Sequence, residues 1–132
     1  MMGGRGASSG FYKLNGVGNA YGDEYASVIA PFGNMKFVAR RDKRALKAPD
    51  ESMTPGRVYV TVRRSDGKMH SIAFIGSDGK KYKQIDVQDH RGMGSHVHEG
   101  RSIADKPRRL SSKERRLFSQ ARAYIRSKGG VG

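Results

Sequence analysis

Cysteine is absent from this 132-residue chain, and acidic residues are scarce, with 12 Asp and Glu against 26 Lys and Arg. Without cysteine there are no disulfides, no thiolate zinc sites and no thiol nucleophile. No window approaches the ~18 consecutive apolar residues of a membrane span, so no membrane partner is expected. The first residues, MMGGRGASSG, carry no apolar h-region, and a signal peptide is not expected. The hydrophobic share is low at 36%, which gives one domain with a modest core. Glycine is abundant instead, at 18 residues, and predicts loops and mobile ends.

The surplus of base gives a formal net charge of +14. It is concentrated in two stretches. Residues 101–132 hold ten Lys and Arg against Asp105 and Glu114, a net +8. Residues 36–47 hold six against Asp42, a net +5. A field of this size attracts polyanions with a salt-dependent affinity. Nucleic acid is the expected partner, RNA favoured over DNA. An acidic protein or a host ribonucleoprotein comes next. The backbone-holding candidates are Arg40, Arg41, Lys43 and Arg44 in the first stretch. In and before the second they are Arg91, Arg101, Arg108, Arg109, Arg115, Arg116, Arg122 and Arg126. No cofactor is expected.

Residues 1–22 hold too few apolar side chains to bury and predict a flexible arm, leaving 23–132 as a single α+β domain. GVGNAYG within the arm has the wrong spacing for a dinucleotide fingerprint, and no strand precedes it. DEYASVIA, 23–30, predicts a short helix stopped by Pro31. NMKFVAR, 34–40, alternates as a strand does.

RVYVTVRR, MHSIAFIG and KYKQIDVQ are joined by two copies of SDGK. Asp-Gly between β-rich runs predicts a three-strand antiparallel meander. Centring the turns on Asp66-Gly67 and Asp78-Gly79 sets Val58, Val60 and Val62 opposite Ile75, Ala73 and Ser71. Tyr82, Gln84 and Asp86 then follow on the third strand. A slip of one residue would invert these faces. At the other end, Ser111 and Glu114 form an S-x-x-E capping box. Leu117, Phe118, Ala121, Tyr124 and Ile125 recur at helical spacing until Gly129 and Gly130. The whole predicts a meander of three to five strands packed against a C-terminal basic amphipathic helix.

HRGMGSHVHEG, 90–100, contains three of the four histidines. In extended chain His96 and His98 project to the same side, and His90 can return across the glycines. Imidazoles titrate near neutrality, so two can supply the acid and the base of metal-independent RNA cleavage. Lys83, Arg91 or Arg101 would stabilise the charged phosphorane, and Glu99 would orient a ring. H-x-H with His90, Asp89 or Glu99 is also a set of N and O ligands for Zn²⁺ or a similar ion. The third reading is a solvent-exposed polar loop. His70, beside Ile72 and Phe74 on a strand, reads as a packed sheet residue.

GGRGASSG, ESMTPGRVYVTV at 51–62 and KQID…HRGMGSHVHEG at 83–100 together resemble small domains encoded by phages and prophages. Such domains also occur as C-terminal extensions of minor head proteins. Domains of this layout are sometimes assigned to the barnase–EndoU–colicin–RelE class of compact ribonucleases. The resemblance implies an RNase-like domain of a mobile element, an endoribonuclease with His96 and His98 as acid–base pair and Lys83 and Arg91 as phosphate contacts. It implies action in the host cytoplasm or association with the virion. Two further classes stay open. One is a non-catalytic module that binds nucleic acid or a ribonucleoprotein, such as an inhibitor of host defence. The other is a structural domain of the virion.

Overall fold

The computed structural model describes residues 25–40, 47–52, 54–88, 94–100 and 107–132. The arm predicted over 1–22 lies outside the described residues. The fold is α+β. Six strands, β1 (Tyr25–Phe32), β2 (Met35–Arg40), β3 (Val58–Val62), β4 (Met69–Ile75), β5 (Lys81–Asp86) and β6 (His96–Glu99), form one sheet in chain order. One helix, α1 (Ser112–Ser127), follows. Among the described residues no helix is long and apolar enough to cross a membrane.

The sheet has more strands than expected and is mixed, because β2 and β3 run parallel while all other neighbours are antiparallel. The helix predicted over 23–30 is instead β1. Pro31 stops a helix, yet an edge strand tolerates it, since its missing N–H faces no partner. The signal for a strand was Gly33-Asn34, a two-residue turn between apolar runs. Phe32 pairs Met35 across it, and Gly33 takes the positive φ that such a turn demands.

The three-strand meander is present, with its second hairpin in the expected register: Ile72 faces Ile85 and Phe74 faces Lys83. The first hairpin is shifted by one residue. Its loop is longer than two residues, with Arg63 N–H donating to the Lys68 carbonyl and Gly67 N–H to the Arg63 carbonyl. A bulge between Thr61 and Val62 then sets Val60 opposite Ile72. The shift brings valines and isoleucines onto one face, where α1 covers them.

That face holds Phe37, Val60, Ile72, Ile85 and Val97, packed with Leu110, Phe118, Ala121 and Ile125. The helix starts at the expected capping box and buries the expected stripe. Its C-terminal half reaches β1, where Tyr124 stacks on Phe32 and donates to the Ala30 carbonyl. On the opposite face Tyr25, Val38, Tyr59, Ala73 and Ile75 cluster with Ala48 of the connection between β2 and β3.

The same connection is stitched to the β4–β5 turn. Ser52 N–H donates to the Gly79 carbonyl at 2.8 Å, and Lys81 N–H to the Asp50 carbonyl at 2.7 Å. Gly79 has φ +80°, and a Cβ there would meet the Ser52 carbonyl oxygen at 2.9 Å; at Gly33, φ +58°, a Cβ meets nothing within 4 Å. Gly33→Ala therefore tests the backbone penalty alone, about 1 kcal/mol, whereas Gly79→Ala adds a clash and is expected to cost about 2–3 kcal/mol. Urea denaturation of the two variants checks the difference.

Candidate functional site

Alternation along β5 and β6 sorts the polar side chains into two groups. Lys83, Ile85, Val97 and Glu99 face the helix. Gln84, Asp86, His96 and His98 lie on the opposite face, because Gln84 pairs His98 and Asp86 pairs His96 across the strands. His96 and His98 are thus on one side, as the H-x-H spacing required, but Lys83 is not with them.

On the histidine face Asp86 is the centre. His98 Nε2 lies 3.1 Å from Asp86 Oδ2 and His96 Nε2 lies 3.6 Å from the same oxygen. The rings meet edge to face with centroids 4.9 Å apart. The Nδ1–H of His96 donates to the Gly94 carbonyl at 3.0 Å. Gln84 Nε2 donates to the other Asp86 oxygen at 2.6 Å, and Lys81 Nζ donates to Gln84 Oε1. Lys81 also pairs Asp50 at 3.0 Å. The imidazoles are well covered, with side chains 3% and 12% exposed for His96 and His98. His98 Nδ1 is buried and has no hydrogen-bond partner among the described residues. His70 stands apart, its Nδ1 against Ser71 Oγ at 2.9 Å. Burial lowers its pKa, with the Asp86 charge pulling the other way.

On the helix face Lys83 donates to Glu114 at 2.9 Å and lies 4.4 Å from the Phe74 ring centroid. Arg108 grips the same carboxylate with two bonds of 2.8 Å and reaches Glu99 at 3.1 Å. The Ser111 N–H completes the set at 2.8 Å. Arg108, in the first place, holds the Glu114 carboxyl well below the usual carboxylate range, against the opposing effect of burial. Glu114 and Glu99 in turn push the Arg108 guanidinium up. Both cations serve the fold, anchoring the N-terminus of α1 to β5 and to the short stretch that bridges β6.

The remaining arginines of α1 divide by helical phase. Arg115, Phe118, Ser119 and Arg122 are spaced i, i+3, i+4, i+7, one stripe of the helix. With Ser95, Arg109 and Leu110 they line a cleft of about 500 Å³. Its floor is apolar and its rim carries three guanidinium groups. Arg122 lies over the Phe118 ring at 4.7 Å, and its Nε is buried with no hydrogen bond among the described residues. Arg116 lies on the exposed helix surface outside this stripe, and Arg126 donates to the Val131 carbonyl. No family model, curated protein or solved structure matches the chain.

Of the candidate residues, then, His96 and His98 come together, and so do Arg109, Arg115 and Arg122. Arg40 ends β2, away from both groups in the strand order. His90, Arg91, Arg101, Arg41, Lys43 and Arg44 lie outside the described residues. Asp86, Gln84, Ser95 and Phe118 were not foreseen as site residues. For Asp86 the signal was available: a carboxylate at an alternate position of a strand, in register with H-x-H on the next one.

Proposed function

We propose that the chain binds single-stranded nucleic acid, RNA in preference to DNA, in the cleft along α1 and without cleaving it. The supporting observation is the convergence of Arg109, Arg115 and Arg122 on a floor of Leu110 and Phe118. Guanidinium groups suit phosphate oxygens because their donors are arranged as a fork, and an apolar floor suits the face of a sugar or base. Ser95 Oγ, whose proton goes to the Val87 carbonyl, can accept from a ribose 2′-OH, and the Ser119 hydroxyl lines the same cleft. A net charge of +14 supplies the long-range attraction.

The geometry favours binding over catalysis. An acid–base pair for RNA cleavage must flank a phosphate, one imidazole on each side. Here both rings turn their Nε2 atoms onto a single carboxylate oxygen, and both are largely covered. Lys83, one of the three cations offered for the phosphorane, is held by Glu114 on the other side of the sheet, and the other two, Arg91 and Arg101, lie outside the described residues.

Fluorescence anisotropy with labelled single-stranded RNA and matched DNA, across a salt series, tests the reading. Gel analysis of the same mixtures with and without EDTA runs alongside. RNA is expected to bind more tightly than DNA, with affinity falling as salt rises and both strands left intact. EDTA-resistant RNA cleavage would restore the acid–base reading, and equal affinity for RNA and DNA would remove the ribose contact.

A further inference from the structure

We infer that Asp86, His96 and His98 bind one divalent transition-metal ion of the zinc class, which clamps β6 onto β5. One carboxylate oxygen and two imidazole nitrogens, drawn from adjacent strands, lie within 4.8 Å of one another. Zinc bonds of about 2.0–2.1 Å to N or O in tetrahedral array place neighbouring donors roughly 3.3 Å apart. The separations from Asp86 Oδ2, 3.1 and 3.6 Å, bracket that value. The longer of them exceeds a hydrogen bond, as the edge of a coordination polyhedron does.

The outer partners fit as well. A metal-bound imidazole usually donates its other N–H to a carbonyl or carboxylate, and a ligating carboxylate is itself hydrogen-bonded. His96 does the first through Gly94, and Asp86 receives the second from Gln84. Each bond fixes which atom is turned inward. With Nδ1–H committed to Gly94, the neutral His96 ring presents its Nε2 lone pair, and Gln84 leaves Asp86 Oδ2 to face both rings. Asp86 Oδ2 and the His96 Nε2 lone pair converge in this way, with His98 Nε2 3.1 Å from the same oxygen, and one shared ion satisfies all three at once.

The donor chemistry selects the ion. Mg²⁺ and Ca²⁺ prefer oxygen ligands, and soft ions prefer sulfur, whereas two nitrogens and one oxygen suit Zn²⁺ and its neighbours. Three protein donors leave a fourth position to water, and the burial of both imidazoles suits an ion that ties the strands together. β6 is four residues long and sits between Gly94 and Gly100, both at positive φ, so its own backbone pairing is short. An ion shared with β5 supplies a cross-strand tie in a chain that has no cysteine.

The test uses the whole chain, stripped with EDTA, desalted and titrated with Co²⁺ and then Zn²⁺ at neutral pH. One equivalent of Co²⁺ should give visible absorption bands that one equivalent of Zn²⁺ abolishes. Zn²⁺ at about 100 times its Kd should raise Tm by roughly 10 °C. In long-range ¹H–¹⁵N spectra of the wild type, Nε2 of His96 and His98 should shift to the metal-bound region while Nδ1 of His96 stays protonated. Asp86→Asn and His98→Gln should each weaken Zn²⁺ binding by about 10-fold or more, and His70→Gln should leave it unchanged. A folded wild type showing neither cobalt bands nor shifts at these two imidazoles overturns the inference. So does undiminished Zn²⁺ binding in folded Asp86→Asn and His98→Gln. The wild-type spectra decide the matter even where a variant does not fold.

Discussion

Replacing Arg115 and Arg122 together by glutamate is expected to weaken single-stranded RNA binding by about 100-fold or more. Each charge-assisted hydrogen bond lost is worth about 1.5–3 kcal/mol, and two lost bonds give at least two decades. Charge alone cannot be the explanation tested, since any reversal on so basic a chain lowers its attraction for a polyanion. Lys113→Glu with Arg116→Glu supplies the control. These residues are exposed on the same helix and carry the same change of charge outside the cleft stripe. The control pair should lose about tenfold at low salt and little at high salt, where the Debye length is short. The cleft pair should keep its deficit at high salt. Equal losses for both pairs, measured by anisotropy across the salt series, would reduce the cleft to one part of a diffuse basic surface.

The second large effect concerns stability. Glu114 accepts two bonds from Arg108, one from Lys83 and one from the Ser111 backbone, and its side chain is only 7% exposed. Glu114→Ala leaves two cations without their carboxylate and removes half of the capping box, a loss of about 3 kcal/mol. The figure is at the low end for a buried ion pair because the Arg108 side chain is 40% exposed and water screens its charge. Glu114→Gln can keep the bond to Ser111, so it isolates the charge, and about 2 kcal/mol is expected.

The pH dependence follows from the direction of the shift. Arg108 and Lys83 hold the Glu114 carboxyl below its ordinary value, and in the unfolded chain it returns to about 4.3. Between those two values the unfolded state takes up a proton that the folded state does not. The contribution is therefore complete above the unfolded value and is lost as pH falls toward the folded one. Asp66, held low chiefly by Arg63, adds to the same acid limb. Glu114→Gln should consequently flatten the fall in stability below about pH 4 without abolishing it. Urea midpoints from pH 7 to pH 3, for wild type and variant, measure this. An unchanged acid limb would remove Glu114 from its cause.

The elements legible in the sequence are those with a local cause. The capping box, the stripe from Leu117 to Ile125 and the turn at Asp78-Gly79 each depend on residues a few positions apart. The misread elements have competing local signals or distant causes. Pro31 reads as the stop of a helix and Gly33-Asn34 as the turn of a hairpin, and the second prevails because β2 and α1 bury the side chains of the strand. The bulge at Thr61–Val62 leaves no mark in composition, yet it inverts the faces of β3 relative to β4. At the site, H-x-H gave the common direction of two imidazoles, while their convergence on Asp86 needed the β5–β6 register. The separation of Lys83 from the histidines is the same register seen from the other face. Arg115 and Arg122 were legible as basic surface, but their cleft is completed by Ser95 and Arg109, which approach only through tertiary packing.

Leu110 and Phe118 are members of the hydrophobic core and also the floor of the cleft. An occupant of the cleft would rest on side chains whose places exist only in the folded chain, so occupancy and folding are linked by mass action. With ligand at a hundred times its dissociation constant the folded state would gain about 2.7 kcal/mol. The unfolded population open to proteases would shrink by the same factor of about a hundred. The lifetime of the chain would then follow the supply of its ligand, and substitutions at Leu110 or Phe118 would alter affinity and persistence together.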